Sequence, residues 1–328
     1  MPKVLIWKNK IWESQGSNTG DMAIIASMID DLTAAIPDVE VTMLSDNPEI
    51  AHQTYGVSAR QLWSWKGPWN VWKTVREADL IVLGGGTILT DETSLPIIPI
   101  NLSLGVLGKL MGRKVMCYAV GVGGLSAFGR WQMRHVVDRF DLLTLRDEES
   151  LEALEALGLS RVHKIVTADA AFSLQGVAHE RAVELLEAED VHTPASSRPL
   201  VGISPRRVYH YTHSLLPFAI RRRFGLLPPD YDEKIAHFKQ VLASAADWVV
   251  RELGADVVFV PMYSGGGVQE GVGGKLKRFF ASRDDVISAE IMGLMEERDH
   301  AHVLGGVYRP DKGEIRLLFN WAETLKRR

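Results

Sequence analysis

Two histidines three residues apart, His210 and His213, stand in a stretch of chain that holds no carboxylate. Between residues 191 and 229 there are six arginines and three histidines, and no Asp or Glu. An imidazole titrates near neutrality, so either histidine can give or take a proton during a reaction. Arg206 directly follows the apolar run "LVGISP" (200–205), where a guanidinium can hold a phosphate or carboxylate through paired hydrogen bonds. Asp91 lies five residues past the glycine triplet Gly84, Gly85, Gly86 and can accept from a sugar or substrate hydroxyl. His210, His213 and Asp91 are thus the candidate acid–base groups, and Arg206 the candidate anion holder. Arg221, Arg222 and Arg223 read as a solvated basic face. Beside "SLLPF" (214–218) such a run can also rest on an anionic membrane surface.

A second set of candidates is glycine-rich. "GSNTGDMAII" (16–25) places Asn18, Gly20 and Asp21 where a helix opens. Free backbone N–H groups at the positive end of a helix dipole suit an anion. The same letters also serve as plain capping, with Asn18 or Thr19 as N-cap and Asp21 in the first turn. The stretch is neither G-x-G-x-x-G nor a Walker A loop. Gly84–Gly86 ends an apolar run and allows a ligand, or a neighbouring helix, to approach the backbone. Gly121 and Gly123 in "AVGVGGLS" (119–126) do the same after another run. Arg146 and Asp147, in "LLTLRDEES" (142–150), either face a substrate or pair to hold the sheet edge, and Asp169 in "TADAAFSL" (167–174) shares that ambiguity. "PMYSGGGVQEGVGGKLKRF" (261–279) reads as an anion nest or a loop. "WSWKGPWNVW" (63–72) reads as a loop pinned to the core, with stacking on sugar rings the alternative. Neither H-E-x-x-H nor paired C-x-x-C occurs, so no metal site is expected.

These loops need strands to carry them. "KVLIW" (3–7), "VEVTML" (39–44), "ADLIVLGGG" (78–86), "RKVMCYAVGVGG" (113–124), the start of "LLTLRDEES" (142–150), which ends as a helix N-terminus, and "HKIVTADAAFSL" (163–174) read as strands, apolar runs of the type buried on both faces of a parallel sheet. Between them, residues 21–36 show helical spacing, with Ile24, Ile25, Met28, Ile29 and Leu32 on one stripe. Strands alternating with helices mean βαβ units. The Pro/Ser-rich "VHTPASSRP" (191–199) reads as a linker between a domain over 1–190 and a second over 199–328. The second repeats the pattern with "LVGISP", a helix over about 231–253, and "ADVVFVPM" (255–262). Two Rossmann-like parallel-sheet α/β domains facing each other across a cleft is the expected architecture. Ligands of such sheets bind beyond the carboxyl ends of the strands, where the candidates fall.

The totals set limits. With 328 residues and a net charge of −4, nothing in the overall charge points to nucleic acid. The single cysteine, Cys117, rules out an internal disulfide and, within an apolar run, reads as a buried structural thiol. "MPKVLIW" is interrupted too soon by "KNK" to be a signal peptide, and no apolar stretch reaches the ~18 residues of a membrane span. A cytoplasmic protein is expected, with peripheral membrane contact as an extension.

In this order, "GSNTGDMAII", "ADLIVLGGGTILTDE", "AVGVGGLS", "LTLRDEESLEALEALG", "TADAAFSL", "VGISPR" and "VVFVPM" resemble the polysaccharide pyruvyl transferase family over roughly residues 3–299. The stretch from Arg146 to Gly158 is the most characteristic part. The resemblance implies a glycosyltransferase-B-like fold and transfer of a pyruvyl group from phosphoenolpyruvate to a saccharide of a cell-surface polysaccharide or its precursor. It implies no cofactor beyond that donor. It assigns Arg206 to the donor and the loops at Asn18–Asp21 and Gly84–Gly86 to the cleft.

One motif departs. Family members carry R-x-H after a late strand, followed by fifty or more residues. Here Arg298-Asp299-His300 has the letters but stands at the end of the helix-like "SAEIMGLMEERD", ahead of where that strand is expected. The chain then reads "HAHVLGG" and soon stops, with His302 a substitute candidate. A divergent or shortened C-terminal portion is expected. Two alternatives follow: a nucleotide-sugar glycosyltransferase, with Glu270 as the ribose carboxylate, and a non-catalytic family member that binds a sugar phosphate.

Overall fold

The structure, a computed structural model, describes residues 1–7, 18–45, 47–62, 64–174, 178–189, 191, 198–207, 213–216, 218–263 and 284–304. His210, Glu270, the glycine-rich stretch 264–283, most of the expected linker and the chain after Leu304 lie outside the described residues. The described chain forms two compact units: the first takes residues 1–7, 20–174 and 213–216, and the second residues 18–19, 178–207, 218–263 and 284–304.

The first unit is a parallel sheet with helices on both faces. In chain order its strands are β1 (Lys3–Trp7), β2 (Glu40–Ser45), β3 (Ser58–Gln61), β4 (Leu80–Leu83), β5 (Gly86–Leu89), β6 (Lys114–Val122), β7 (Leu142–Leu145) and β8 (His163–Val166). Its helices are α1 (Thr19–Ala35), α2 (Pro48–Tyr55), α3 (Gly67–Glu77), α4 (Ile97–Leu110), α5 (Ala127–His135) and α6 (Glu148–Ala156). The strand order is β3-β2-β1-β4-β6-β7-β8, with β5 also on β6. The winding reverses between β1 and β4, and ligands of open parallel sheets bind at that switch point, beyond the strand carboxyl ends.

Two cores sandwich the sheet. On one face Ile25, Met28, Ile29 and Leu32 of α1 pack against Val4 and Ile6 of β1 and Val41 and Met43 of β2. Their i, i+3, i+4, i+7 spacing is what puts them on one stripe, and each such side chain fully buried stabilises by about 1.5–3 kcal/mol. On the other face Val75 of α3, Leu102 and Leu104 of α4, Met133 of α5 and Leu154 of α6 cover Leu5, Leu83, Val115 and Leu143. Cys117 is fully buried there, and desolvation pushes its thiol well above the usual range.

The glycine triplet is not only a loop. Gly84 N–H donates to Trp7 O at 2.7 Å, and the chain then re-enters the sheet as β5, with Gly86 opposite Val120. Gly86 sits at φ 82°, a left-handed conformation that favours glycine. A Cβ on Gly85 would lie 2.8 Å from Tyr118 O, 3.0 Å from Ala119 O and 3.1 Å from Ile24 Cγ2. Close approach of β6 and α1 therefore accounts for Gly85 within the fold itself. The reading of "WSWKGPWNVW" as a pinned loop is corrected too. The stretch runs into α3 instead, with Pro68 in the first turn where its missing N–H costs nothing. Trp65 and Trp69 then stand 88% and 58% exposed.

The second unit carries a three-stranded parallel sheet, order β11-β10-β9, from β9 (Leu200–Ile203), β10 (Asp256–Phe259) and β11 (Ala301–Val303). Its helices are α7 (His179–Ala188), α8 (Phe218–Arg223), α9 (Tyr231–Leu253) and α10 (Asp284–Met292). Ile235, Ala243, Ala246 and Val250 of α9 pack with Ile287 and Ile291 of α10 over Val257 and Phe259. Arg221 is buried at 3% exposure, which corrects its place on a solvated basic face, while Arg222 and Arg223 are exposed. The strand expected after "SAEIMGLMEERD" is present as β11, beside β10.

Because backbone oxygens surround Gly85, a methyl group there has nowhere to go. Gly85→Ala is expected to destabilise the chain by about 1–3 kcal/mol, measured by chemical denaturation. An unchanged midpoint would show that β6 and α1 can move apart.

Candidate functional site

The first unit gathers its candidates along the carboxyl edge of β5, β6, β7 and β8. Asp91, just past β5, is fully buried. Its Oδ1 accepts the Ser126 N–H at 2.8 Å, and its Oδ2 accepts the Ser126 hydroxyl. His213 Nδ1 lies 3.2 Å from Oδ1. Ser126 is also the N-cap of α5, where its Oγ accepts the Gly129 N–H at 3.1 Å. The Ser126 proton is therefore free to reach Asp91. A Cβ on Gly129 would lie 2.8 Å from Asp91 Oδ2, so glycine is what admits the carboxylate to the first turn of α5. The positive end of the helix dipole favours a carboxylate there.

His213 is held from two sides. Its N–H donates to Glu92 O at 2.9 Å, and Leu95 N–H donates to Ser214 O at 3.0 Å. Its backbone takes φ 47°, a left-handed conformation that histidine adopts more readily than most residues but that still needs such support. A carboxylate only accepts, so the facing Nδ1 carries the imidazole hydrogen of the neutral ring and Nε2 keeps its lone pair. The side chain is 44% exposed.

A bulge sets the neighbouring loop. The β6–β7 register shifts between Cys117 and Val120, and Ala119 takes φ 48° with its N–H donating to Thr144 Oγ1 at 2.7 Å. Bulges re-aim the residues beyond them. Past this one, Gly121 carries the Arg146 guanidinium: a Cβ there would lie 2.6 Å from Nε. Arg146 is itself paired, with Asp147 at 3.1 Å and Asp169 at 3.6 Å. Gly123 packs on the Thr90 side chain and Gly124 on Glu92. Arg146 thus sits in a carboxylate clamp that ties β6, β7 and β8 together, with its side chain 33% exposed.

Asp147 belongs to the same network. It caps α6 by accepting Ser150 N–H at 2.8 Å, while Ser150 Oγ accepts Val122 N–H at 2.9 Å. Hydrogen bonds from Ser150, through its side chain and its backbone, and from Arg146 hold the Asp147 carboxyl below the usual carboxylate range. At the start of the unit, α1 opens at Thr19 with Gly20 and Asp21 in its first turn and Asn18 just before it.

The second unit has its own candidates. Arg206 is exposed, three residues past β9, with its guanidinium 5.6 Å from the centre of the Tyr263 ring beyond β10. His300 is not at a strand carboxyl end. It sits in a single 3-10 turn before β11, and its Nδ1 lies 3.0 Å from Asp256 Oδ1. Arg198 Nε donates to the same oxygen at 2.9 Å. Asp256 opens β10, so this trio clamps the opposite edge of the sheet. His302 is half-buried within β11, opposite Val258.

Asp91 and His213 are thus brought together, as are Gly121 and Arg146. Ser126 and Thr144 were not singled out by sequence reasoning. The Ser126-to-Gly129 spacing, a capping serine with glycine three residues on, was the available signal for the first.

Comparison with known proteins identifies the class. The chain belongs to the polysaccharide pyruvyl transferase family, whose model matches residues 18–271. None of the curated proteins matches it. Among solved structures it is similar to UDP-GlcNAc 2-epimerase from Neisseria meningitidis, at 10% identity and a TM-score of 0.49, covering 96% of this chain and 74% of that one. It is also similar to ADP-heptose lps heptosyltransferase II of E. coli, at 14% identity and a TM-score of 0.41, covering 96% and 76%. A glycosyltransferase from Rickettsia africae matches at 10% identity and a TM-score of 0.45, covering 96% and 69%.

The depressed Asp147 carboxyl has a pH signature. Its folded value lies below the unfolded one, near ~3.9, so the stability it contributes is present above that value and lost as pH falls through the folded value. Asn keeps the cap but not the charge. Asp147→Asn is expected to lower the melting temperature at pH 7 and to match the wild type at pH 2. An equal deficit at both pH values would assign the loss to the cap alone.

Proposed function

We propose that the protein transfers a pyruvyl group from phosphoenolpyruvate to a saccharide of a cell-surface polysaccharide or its precursor, with His213 as the proton carrier. Family membership supports the reaction class, and the Asp91–His213 pair is the observation that supports the residue. Forming a cyclic ketal requires two saccharide hydroxyls to bond to C2 of the donor, C3 to gain one proton, and phosphate to leave. Protonated His213 gives its Nε2 proton to C3, the first hydroxyl adds to the cation this creates at C2, and Nε2 takes up the proton that hydroxyl releases, so the addition restores the imidazolium. The second hydroxyl then displaces phosphate, which carries that hydroxyl's proton away. Asp91 does not touch the reactants: it holds Nδ1 so that Nε2 is the nitrogen that exchanges the proton, and it stabilises the imidazolium. Arg206 is assigned to the anionic groups of the donor, for which a guanidinium has the matching geometry.

The test is phosphate release from phosphoenolpyruvate in the presence of a panel of nucleotide- and lipid-linked saccharides. Acceptor-dependent release is expected. His213→Ala is expected to lower kcat by about 10²–10⁴ with little change in the KM for phosphoenolpyruvate, and Arg206→Ala to raise that KM. Absence of release across the panel, or an unimpaired His213→Ala, would count against the proposal.

A further inference from the structure

The helices α3, α4 and α5 lie on the same side of the first unit's sheet, since Val75, Leu102, Leu104 and Met133 share one core. Their outward faces are apolar to an unusual degree. Trp65, Trp69, Val106, Leu110, Phe128 and Trp131 are all exposed, Leu110 at 80% and Trp131 at 51%. The reason is visible in each helix. In α5 the buried positions are Gly129, Gln132 and Met133, so Phe128, Trp131 and His135 turn outward and stack, with ring centroids 6.1 Å and 5.0 Å apart. In α4 the sequence up to Lys109 has no charged residue at all. In α3, Trp69 stacks on Trp72 at 4.8 Å. Exposed apolar surface gathered on three helices of one sheet face marks an interaction site.

Four unpaired cations stand among these side chains. Lys66 lies over the Trp65 ring and Arg76 over the Trp72 ring, each at 5.0 Å. Arg130 donates to Leu125 O and Arg134 to Leu157 O, which are carbonyls and leave both charges uncompensated. Among the described residues none of these four cations pairs with a carboxylate. The acids nearby are spent: Glu77 accepts from Arg60 at 2.7 Å, and Asp141 is held by Lys109 and Lys114.

We propose that the outer face of α3, α4 and α5 docks on an anionic lipid bilayer. Tryptophan beside Lys and Arg is the composition of the bilayer interface, where the ring sits at headgroup level and the cation meets lipid phosphate. Among the described residues no helix is long and apolar enough to cross a membrane, so the mode is peripheral. The surface involves neither His213 nor Arg206, and the proposal stands apart from the reaction assigned above.

The experiment is flotation of the full chain with vesicles of phosphatidylcholine alone or mixed with phosphatidylglycerol, at low salt. The chain is expected to float with the anionic vesicles and not with the neutral ones. Lys66→Glu combined with Arg130→Glu is expected to weaken binding by at least about tenfold, since each cation near such a surface contributes a factor of about five. Trp69→Ala combined with Trp131→Ala is expected to weaken it comparably. Trp248→Ala, on α9 and 56% exposed, is expected to bind as the wild type. All five side chains are exposed, so folding is preserved, and circular dichroism checks this. The proposal is overturned if the wild type stays with the soluble fraction, or if either double variant floats like the wild type. It is also overturned if the tryptophan pair proves to hold two copies together, read as a dimer that the double variant dissociates.

Discussion

The buried carboxylate of Asp91 is the constraint on which the first unit's candidate site depends. A carboxylate removed from water is costly unless donors replace its hydration. Here three donors do so: Ser126 N–H, Ser126 Oγ–H and His213 Nδ1–H. Each requires a distinct structural decision. Strand β5 must carry Asp91 past the glycine triplet. Helix α5 must begin at Ser126 and carry glycine at 129. Residues 213–214 must return to pair with 92–95. The outcome is an imidazole whose position and tautomer are fixed by a group that itself never reaches solvent.

Around that point the fold keeps other charges occupied. Arg146 lies between Asp147 and Asp169 at the carboxyl ends of β7 and β8. Asp256 collects Arg198 and His300 at the start of β10. Both are clamps at strand ends, where backbone ladders stop and side chains must hold neighbouring strands in register. His213 and His300 each turn Nδ1 to a carboxylate and are similarly exposed, at 44% and 40%. Place distinguishes them: His213 meets Asp91 just past the carboxyl end of β5, whereas His300 sits in the turn before β11.

Much of the frame was legible because continuous apolar runs announce buried parallel strands. "KVLIW", "LIVL" and "LLTL" became β1, β4 and β7, and the Ile25–Leu32 stripe became the buried face of α1. Strand β5 was hidden because its sequence, Gly-Thr-Ile-Leu, begins on the last residue of a glycine triplet that looks like a loop. Helix α3 was hidden because aromatic density suggested burial, whereas Trp65 and Trp69 face outward. Asp91 and His213 were each visible as candidates. Their pairing was not, because they are 122 residues apart and meet through a crossing segment with no local signature. Arg221 failed for a similar reason: a run of three arginines looks solvated, and only packing shows that one of them is buried.

The central claim is that Asp91 presets His213 for proton transfer. Nitrogen-15 NMR of the histidine side chains, assigned with His213→Gln, reads this most directly. The account predicts that neutral His213 carries its hydrogen on Nδ1 with Nε2 bare, and that Asp91→Ala abolishes this preference. A resting His213 with its hydrogen on Nε2, or a tautomer unchanged in Asp91→Ala, would contradict it.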